Sequence, residues 1–258
     1  MPSRLISLII ISLLIACSPK KPEISLPAIP ARPLVQALEQ RRSAFTGLKA
    51  VASVAVVRSG RKRTYDTVGI VIEGQRRLRV EAYGPLGQSV ATLVWNGAET
   101  LLRMEDGRVE RPGPADLERL LGIQTAGGEL CAILTGNIPA SDATAAGIAF
   151  RNADGSALVV LNEGEAEYRV SVVMPETGLA QDVRISVSEL YRSDRLVYRV
   201  RYEEMERVSQ YLIAKTVKIE SPESNTSLTV VYDDLDVNAP LPDDAFILPG
   251  GETGAPRP

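Results

Sequence analysis

Between Gly47 and Tyr232 apolar and polar residues alternate with a period of two over most of the chain, the mark of strands with one buried face. The first block predicts five strands, Leu48 to Val57, Thr64 to Ile72, Arg76 to Tyr83, Gln88 to Trp95 and Thr100 to Glu105. In the third, Leu78, Val80 and Ala82 share one face while Arg77, Arg79 and Glu81 share the other. Short turns at Ser59-Gly60, Glu73-Gly74-Gln75, Gly84-Pro85-Leu86-Gly87 and Asn96-Gly97 make these strands an antiparallel meander. The alternation resumes at Ala157 and predicts about six more strands, among them Tyr198, Val200 and Tyr202 set against Arg199, Arg201 and Glu203.

Three stretches follow a helical period instead. Leu34, Val35, Leu38 and Phe45 predict a short amphipathic helix that packs on the domain. Leu117, Leu120 and Leu121 follow Pro112-Gly113-Pro114 and stop at Gly122, and Leu130, Cys131, Ile133 and Leu134 stop at Gly136 and Pro139. Cys131 falls on the apolar face of the last helix and reads most simply as a small buried hydrophobe. The chain thus divides into a body over residues 34–249 and a disordered tail over 250–258, with a different kind of sequence ahead of them.

That leading part begins with one positive charge, Arg4, and an apolar run from Leu5 to Ile15 too short to span a bilayer, which predicts a secretory signal over 1–16. Leu14-Ile15-Ala16-Cys17 resembles the bacterial lipobox, which implies acylation of Cys17 as the mature N-terminus. Ser18 stands where an aspartate would retain the protein at the inner membrane, so the resemblance implies the outer membrane, periplasmic side. The proline-rich residues up to Pro33 make segment 17–33 an extended tether that lets the body stand away from the bilayer.

Composition narrows the chemistry. The 258 residues include no His, so the usual general base and the commonest metal ligand are missing. With Cys17 committed to lipid, Cys131 has no disulfide partner, and no nucleophile motif occurs. Asp233, Asp234 and Asp236 lack the spacing of a calcium loop. We therefore expect a protein that is not an enzyme and has no metal and no cofactor. A net charge of -3 argues against nucleic acid as a partner.

Two blocks of strands flanking two short helices, behind a lipobox and a tether, resemble the LolA/LolB superfamily of periplasmic lipoprotein carriers, and within it the LolB-like outer-membrane lipoproteins. The resemblance rests on Leu78 to Leu93 with its Gly84-Pro85-Leu86-Gly87 turn, on Leu120 to Pro139, and on the ending from Asn238 to Pro249. It implies a mainly β (α+β) fold, a curved, unclosed antiparallel half-barrel of about eleven strands with short helices plugging its mouth. It further implies an apolar cavity for lipid or lipoprotein acyl chains, a soluble periplasmic carrier as donor, and insertion of lipoproteins into the outer membrane.

Particular residues take roles under this reading. In a type I turn over Gly84 to Gly87, Leu86 points away from both strand faces. The resemblance makes it the tip of a membrane-insertion loop, and the plainer alternative folds it back onto the domain. Turns alternate between the two ends of a meander, so Arg61, Lys62 and Arg63 at the first turn lie at the same end. They are candidates for contact with an anionic lipid surface, or else simply solvated. The cavity-lining candidates are Leu78, Val80, Leu93, Trp95, Leu117, Leu121, Ile133 and Leu134. Beside the carrier stand two alternatives, a structural or assembly lipoprotein that uses the barrel as a protein-binding module, and a lipid-sensing regulator.

Overall fold

Among the described residues the half-buried runs pair into one antiparallel sheet of fourteen strands. The computed structural model describes residues 21–113, 118, 120–139, 147–175, 182–242 and 244–248. Residues 1–16, Cys17, Leu117 and the tail 250–258 lie outside the described residues. The first block runs β1 (Ala28–Ile29), β2 (Gly47–Arg58), β3 (Arg61–Glu73), β4 (Arg77–Tyr83), β5 (Ser89–Trp95), β6 (Thr100–Met104) and β7 (Val109–Glu110). The second runs β8 (Ile148–Arg151), β9 (Ala157–Glu163), β10 (Ala166–Val173), β11 (Arg184–Arg192), β12 (Arg195–Val208), β13 (Tyr211–Ser221) and β14 (Thr226–Val237).

The spatial order is β1-β8-β9-β10-β11-β12-β13-β14-β2-β3-β4-β5-β6-β7. The second block therefore joins the first through β14 and β2, and β1 and β7 do not meet, which leaves an unclosed barrel. Eleven strands have five or more residues, the number predicted; β1, β7 and β8 are short additions. Two-residue strands at both edges offer little backbone for further pairing.

Two helices fill the concave side. Helix α1 (Arg32–Ala44) starts with Pro33 in its first turn and ends with Arg41 and Arg42, which suit its C-terminal dipole. Its buried stripe is Leu34, Val35, Ala37, Leu38 and Arg41. Helix α2 (Gly127–Thr135) begins where Glu129 reaches back to the Ala126 N–H at 3.3 Å, and ends at Gly136 in the left-handed conformation. A Cβ on Gly127 would stand 2.2 Å from the Trp95 indole, so only glycine lets the helix start against that ring. Glu118, Leu120 and Leu121 are helical as well, and Gly122 N donates to Glu118 O at 2.7 Å. No helix of the described residues is long and apolar enough to cross a membrane.

Two segments differ from the sequence expectation in where they rest. The proline-rich segment is extended, but from Lys21 to Ile29 it is attached to the body. Lys21 Nζ pairs with Glu167 at 2.7 Å, Arg169 donates to Pro22 O at 2.8 Å, Arg151 N donates to Pro27 O at 2.9 Å, and β1 pairs with β8. Near the other terminus, Phe246 and Leu248 bury themselves with Val94 on the outer face of β3 to β6. Arg79 there donates to Ala245 O and Ile247 O, both at 3.3 Å.

Candidate functional site

The interior beneath α2 is built from tyrosines. Tyr168, Tyr198, Tyr202, Tyr211 and Tyr232 are buried, and most hydroxyls end on a helix. Tyr232 Oη donates to Leu134 O at 2.7 Å, one of the carbonyls that the end of α2 would otherwise leave unpaired. Tyr211 Oη lies 3.0 Å from both Arg41 O and Asn137 Oδ1. Arg41 itself donates to Gly136 O at 3.3 Å and Leu212 O at 2.9 Å, with its guanidinium 4.4 Å from the Tyr211 ring centre. Burial lowers the Arg41 pKa.

Glu129 is a buried carboxylate within this interior. Its Oε1 accepts from Tyr198 at 2.8 Å and Tyr168 at 3.0 Å, and its Oε2 accepts from Thr125 Oγ1 at 3.0 Å. Burial, then the adjacent Glu129 charge, pushes both phenols well above the usual tyrosine range. Cys131 is fully buried and its thiol is pushed up to about 12 by desolvation, so it packs as a hydrophobe. Among the described residues no group of three or more His, Cys, Asp or Glu is placed to hold a metal ion.

The predicted cavity residues separate by depth. Leu78, Ile133 and Leu134 are buried in the core; Val80, Leu93, Trp95 and Leu121 are half-buried, the first three on the inward face of β4 and β5. The half-buried candidates on strands therefore gather on β4 and β5. Leu117 falls outside the described residues.

The turn at Gly84 to Gly87 has the predicted form. Gly87 N donates to Gly84 O at 2.9 Å, Gly84 N donates to Gln88 O at 2.8 Å, and Leu86 N donates to Gln88 Oε1 at 3.1 Å. This holds Leu86 at the tip, 92% exposed. Arg61, Lys62 and Arg63 belong to β3 itself, since the hairpin turn is only Ser59 and Gly60, both at positive φ. The strand directions put the turns Ser59–Gly60, Gly84–Gly87 and Ser193–Asp194 on one rim of the half-barrel, and Lys21 reaches Asp194 there at 3.2 Å.

On that rim an open cleft of about 720 Å³ is lined by Val56, Tyr65 and Leu120 together with Arg58, Arg61, Lys62 and Arg63. Ser224 Oγ donates to Gly122 O, which ties the Leu120 turn over the inward face of β14. A second cleft, of about 730 Å³, lies between the Trp95 hairpin and the start of α2 and has mixed polar lining, including Glu99, Arg111 and Arg192.

No protein-family model and no curated sequence matches the chain. Solved structures do. A DUF1329 family protein from Desulfovibrio piger superposes with a TM-score of 0.61 at 13% identity, over 84% of this chain and 97% of its own. A protein described as an outer membrane lipoprotein-sorting domain, from Vibrio parahaemolyticus, gives 0.60 at 13% identity over 84% and 97%. A LolA superfamily protein from Nitrosomonas europaea gives 0.57 at 15% identity, over 85% and 98%. The unclosed antiparallel β barrel of this chain is thus a fold it shares with solved structures that include a LolA superfamily protein.

Proposed function

We propose that the protein is a non-catalytic carrier of acylated cargo, lipid or lipoprotein, anchored by Cys17 on the periplasmic face of the outer membrane and helping to insert lipoproteins there. The observation that carries this reading is Leu86, a large apolar side chain held 92% exposed by a hydrogen-bonded turn. A leucine so placed gains roughly 1.5 to 3 kcal/mol on entering a bilayer. The basic residues Arg61, Lys62 and Arg63 lie on the same rim, each favouring an anionic surface by about 1 kcal/mol.

The anchor supports the same orientation. Four residue steps separate Cys17 from Lys21, a reach of at most about 15 Å. Lys21 is fixed at the rim by Asp194, so a lipid on Cys17 would hold that rim, with Leu86, toward the membrane. The half-buried residues Val80, Leu93 and Trp95 would line the cavity for cargo, which a soluble periplasmic carrier would deliver.

The filled interior favours a second reading. Tyrosines, Arg41 and Glu129 occupy the space beneath α2, as suits a protein-binding module or a lipid-sensing regulator in which the barrel is a scaffold. Binding to vesicles of anionic phospholipid separates the two. Leu86→Glu is expected to weaken it by about tenfold or more, and neutralising Arg61, Lys62 and Arg63 to weaken it independently. Vesicle binding unchanged by both sets of substitutions would leave the scaffold reading standing.

A further inference from the structure

The long β2–β3 hairpin changes face partway along. Ala52 pairs with Val68, but Val54 pairs with Tyr65, so β3 carries one extra residue there. This bulge shifts the inward set of β3 from Asp66, Thr64 and Lys62 to Tyr65, Arg63 and Arg61. Arg63 then stands opposite Val56, and Arg61 opposite Arg58, on the concave side of the sheet. Two arginines that a regular strand would hold outside are turned into the mouth of the half-barrel, with Leu120 lying across from them.

We propose that this cleft binds the headgroup of one anionic phospholipid, its phosphate held by Arg61 and Arg63 and its chains led inward over Val56, Tyr65 and Leu120. The proposal rests on the lipid-carrier reading above and gives it a ligand class. Arginine is suited to the task because its planar fork meets phosphate oxygens in pairs. On the outer face Arg79, Arg199 and Arg201 each have a glutamate at 2.6 Å, whereas no ion pair joins Arg61, Lys62 or Arg63 to a carboxylate of the described residues. In a chain of net charge -3, such a cluster presents positive charge to a ligand. The apolar floor distinguishes a lipid from a free phosphate. Leu120 is 50% exposed, and the inward face beyond it continues through the half-buried Val54, Ala82 and Leu93.

The test uses the full chain with Cys17→Ala, so that the anchor brings no acyl chains of its own. Dihexanoyl-phosphatidylglycerol below its micelle concentration, inorganic phosphate and the neutral amphiphile octyl glucoside are titrated separately by calorimetry. Acceptance of a triacylated lipopeptide is measured alongside. The phospholipid is expected to bind more tightly than either comparator. Arg61→Glu with Arg63→Glu should weaken it by about tenfold or more, and Leu120→Asn should weaken it several-fold. Lys49→Glu, a single charge reversal at an exposed site on the outer face, should leave it unchanged. Phosphate binding as tightly as the phospholipid, or no effect of the arginine reversals, would overturn the proposal. Lipopeptide taken and phospholipid refused would overturn the headgroup site alone, and refusal of both would overturn the carrier reading with it.

Discussion

Replacing Glu129 with alanine is expected to lower the unfolding free energy by about 3 to 5 kcal/mol. The carboxylate is the acceptor for Tyr168, Tyr198 and Thr125 and also accepts from the Ala126 N–H at the N-cap of α2. Alanine strands two buried phenol hydroxyls and removes the N-cap bond of the helix, each a cost of about 1 to 2 kcal/mol. Glutamine keeps one carbonyl oxygen for both phenols, so Glu129→Gln should lose less than half as much. Urea unfolding followed by circular dichroism measures both. Equal, small losses for the two variants would mean that the cluster contributes no stability beyond side-chain volume.

Alkaline pH is expected to unfold the protein cooperatively. Burial, named first among the causes, raises the pKa of Tyr168, Tyr198, Tyr202, Tyr211 and Tyr232, and Tyr191 is pushed up to about 12. An unfolded tyrosine ionises near 10. Above that pH the unfolded chain has released protons that the folded chain still holds, so stability falls as pH rises; below it the contribution is fully present. The tyrosinate absorbance of these residues should therefore appear together with loss of sheet circular dichroism. Gradual ionisation near pH 10 with the sheet intact would contradict the packing described for the interior.

What alternation could reveal, it revealed. Leu78, Val80 and Ala82 face inward as their spacing requires, and six strands do follow Ala157. The helices around Leu38 and Ile133 end where basic residues and glycine end them. The misses have physical causes. A bulge reverses the phase of a strand without changing its composition, so Arg61 and Arg63 read as turn residues. Val90 and Val94 beside Ala91, Leu93 and Trp95 make β5 apolar on both faces, and that was the available sign that the segment around Phe246 covers its outer side. Proline-rich sequence signals an extended chain, but nothing local tells whether it lies on the body, as Lys21 to Ile29 does. The buried Glu129 had its own signal, a lone charge in the apolar run from Gly127 to Leu134. Its partners Tyr168 and Tyr198 come from strands distant in sequence, which no local pattern names.

The interior also bears on how cargo would enter. On the proposed carrier reading an acyl chain would lie on the β2 to β6 side, where Val54, Val80 and Leu93 are half-buried, since the tyrosine side is closed by hydrogen bonds to α2 and α1.

Whether the half-barrel takes acyl chains is tested by native mass spectrometry of the Cys17→Ala protein. The variant is purified from cells, analysed for bound lipid, and then offered a triacylated lipoprotein held by a soluble carrier. We predict that it leaves the outer membrane yet retains an acyl lipid or takes the lipoprotein. A protein that arrives empty and accepts nothing would contradict the claim.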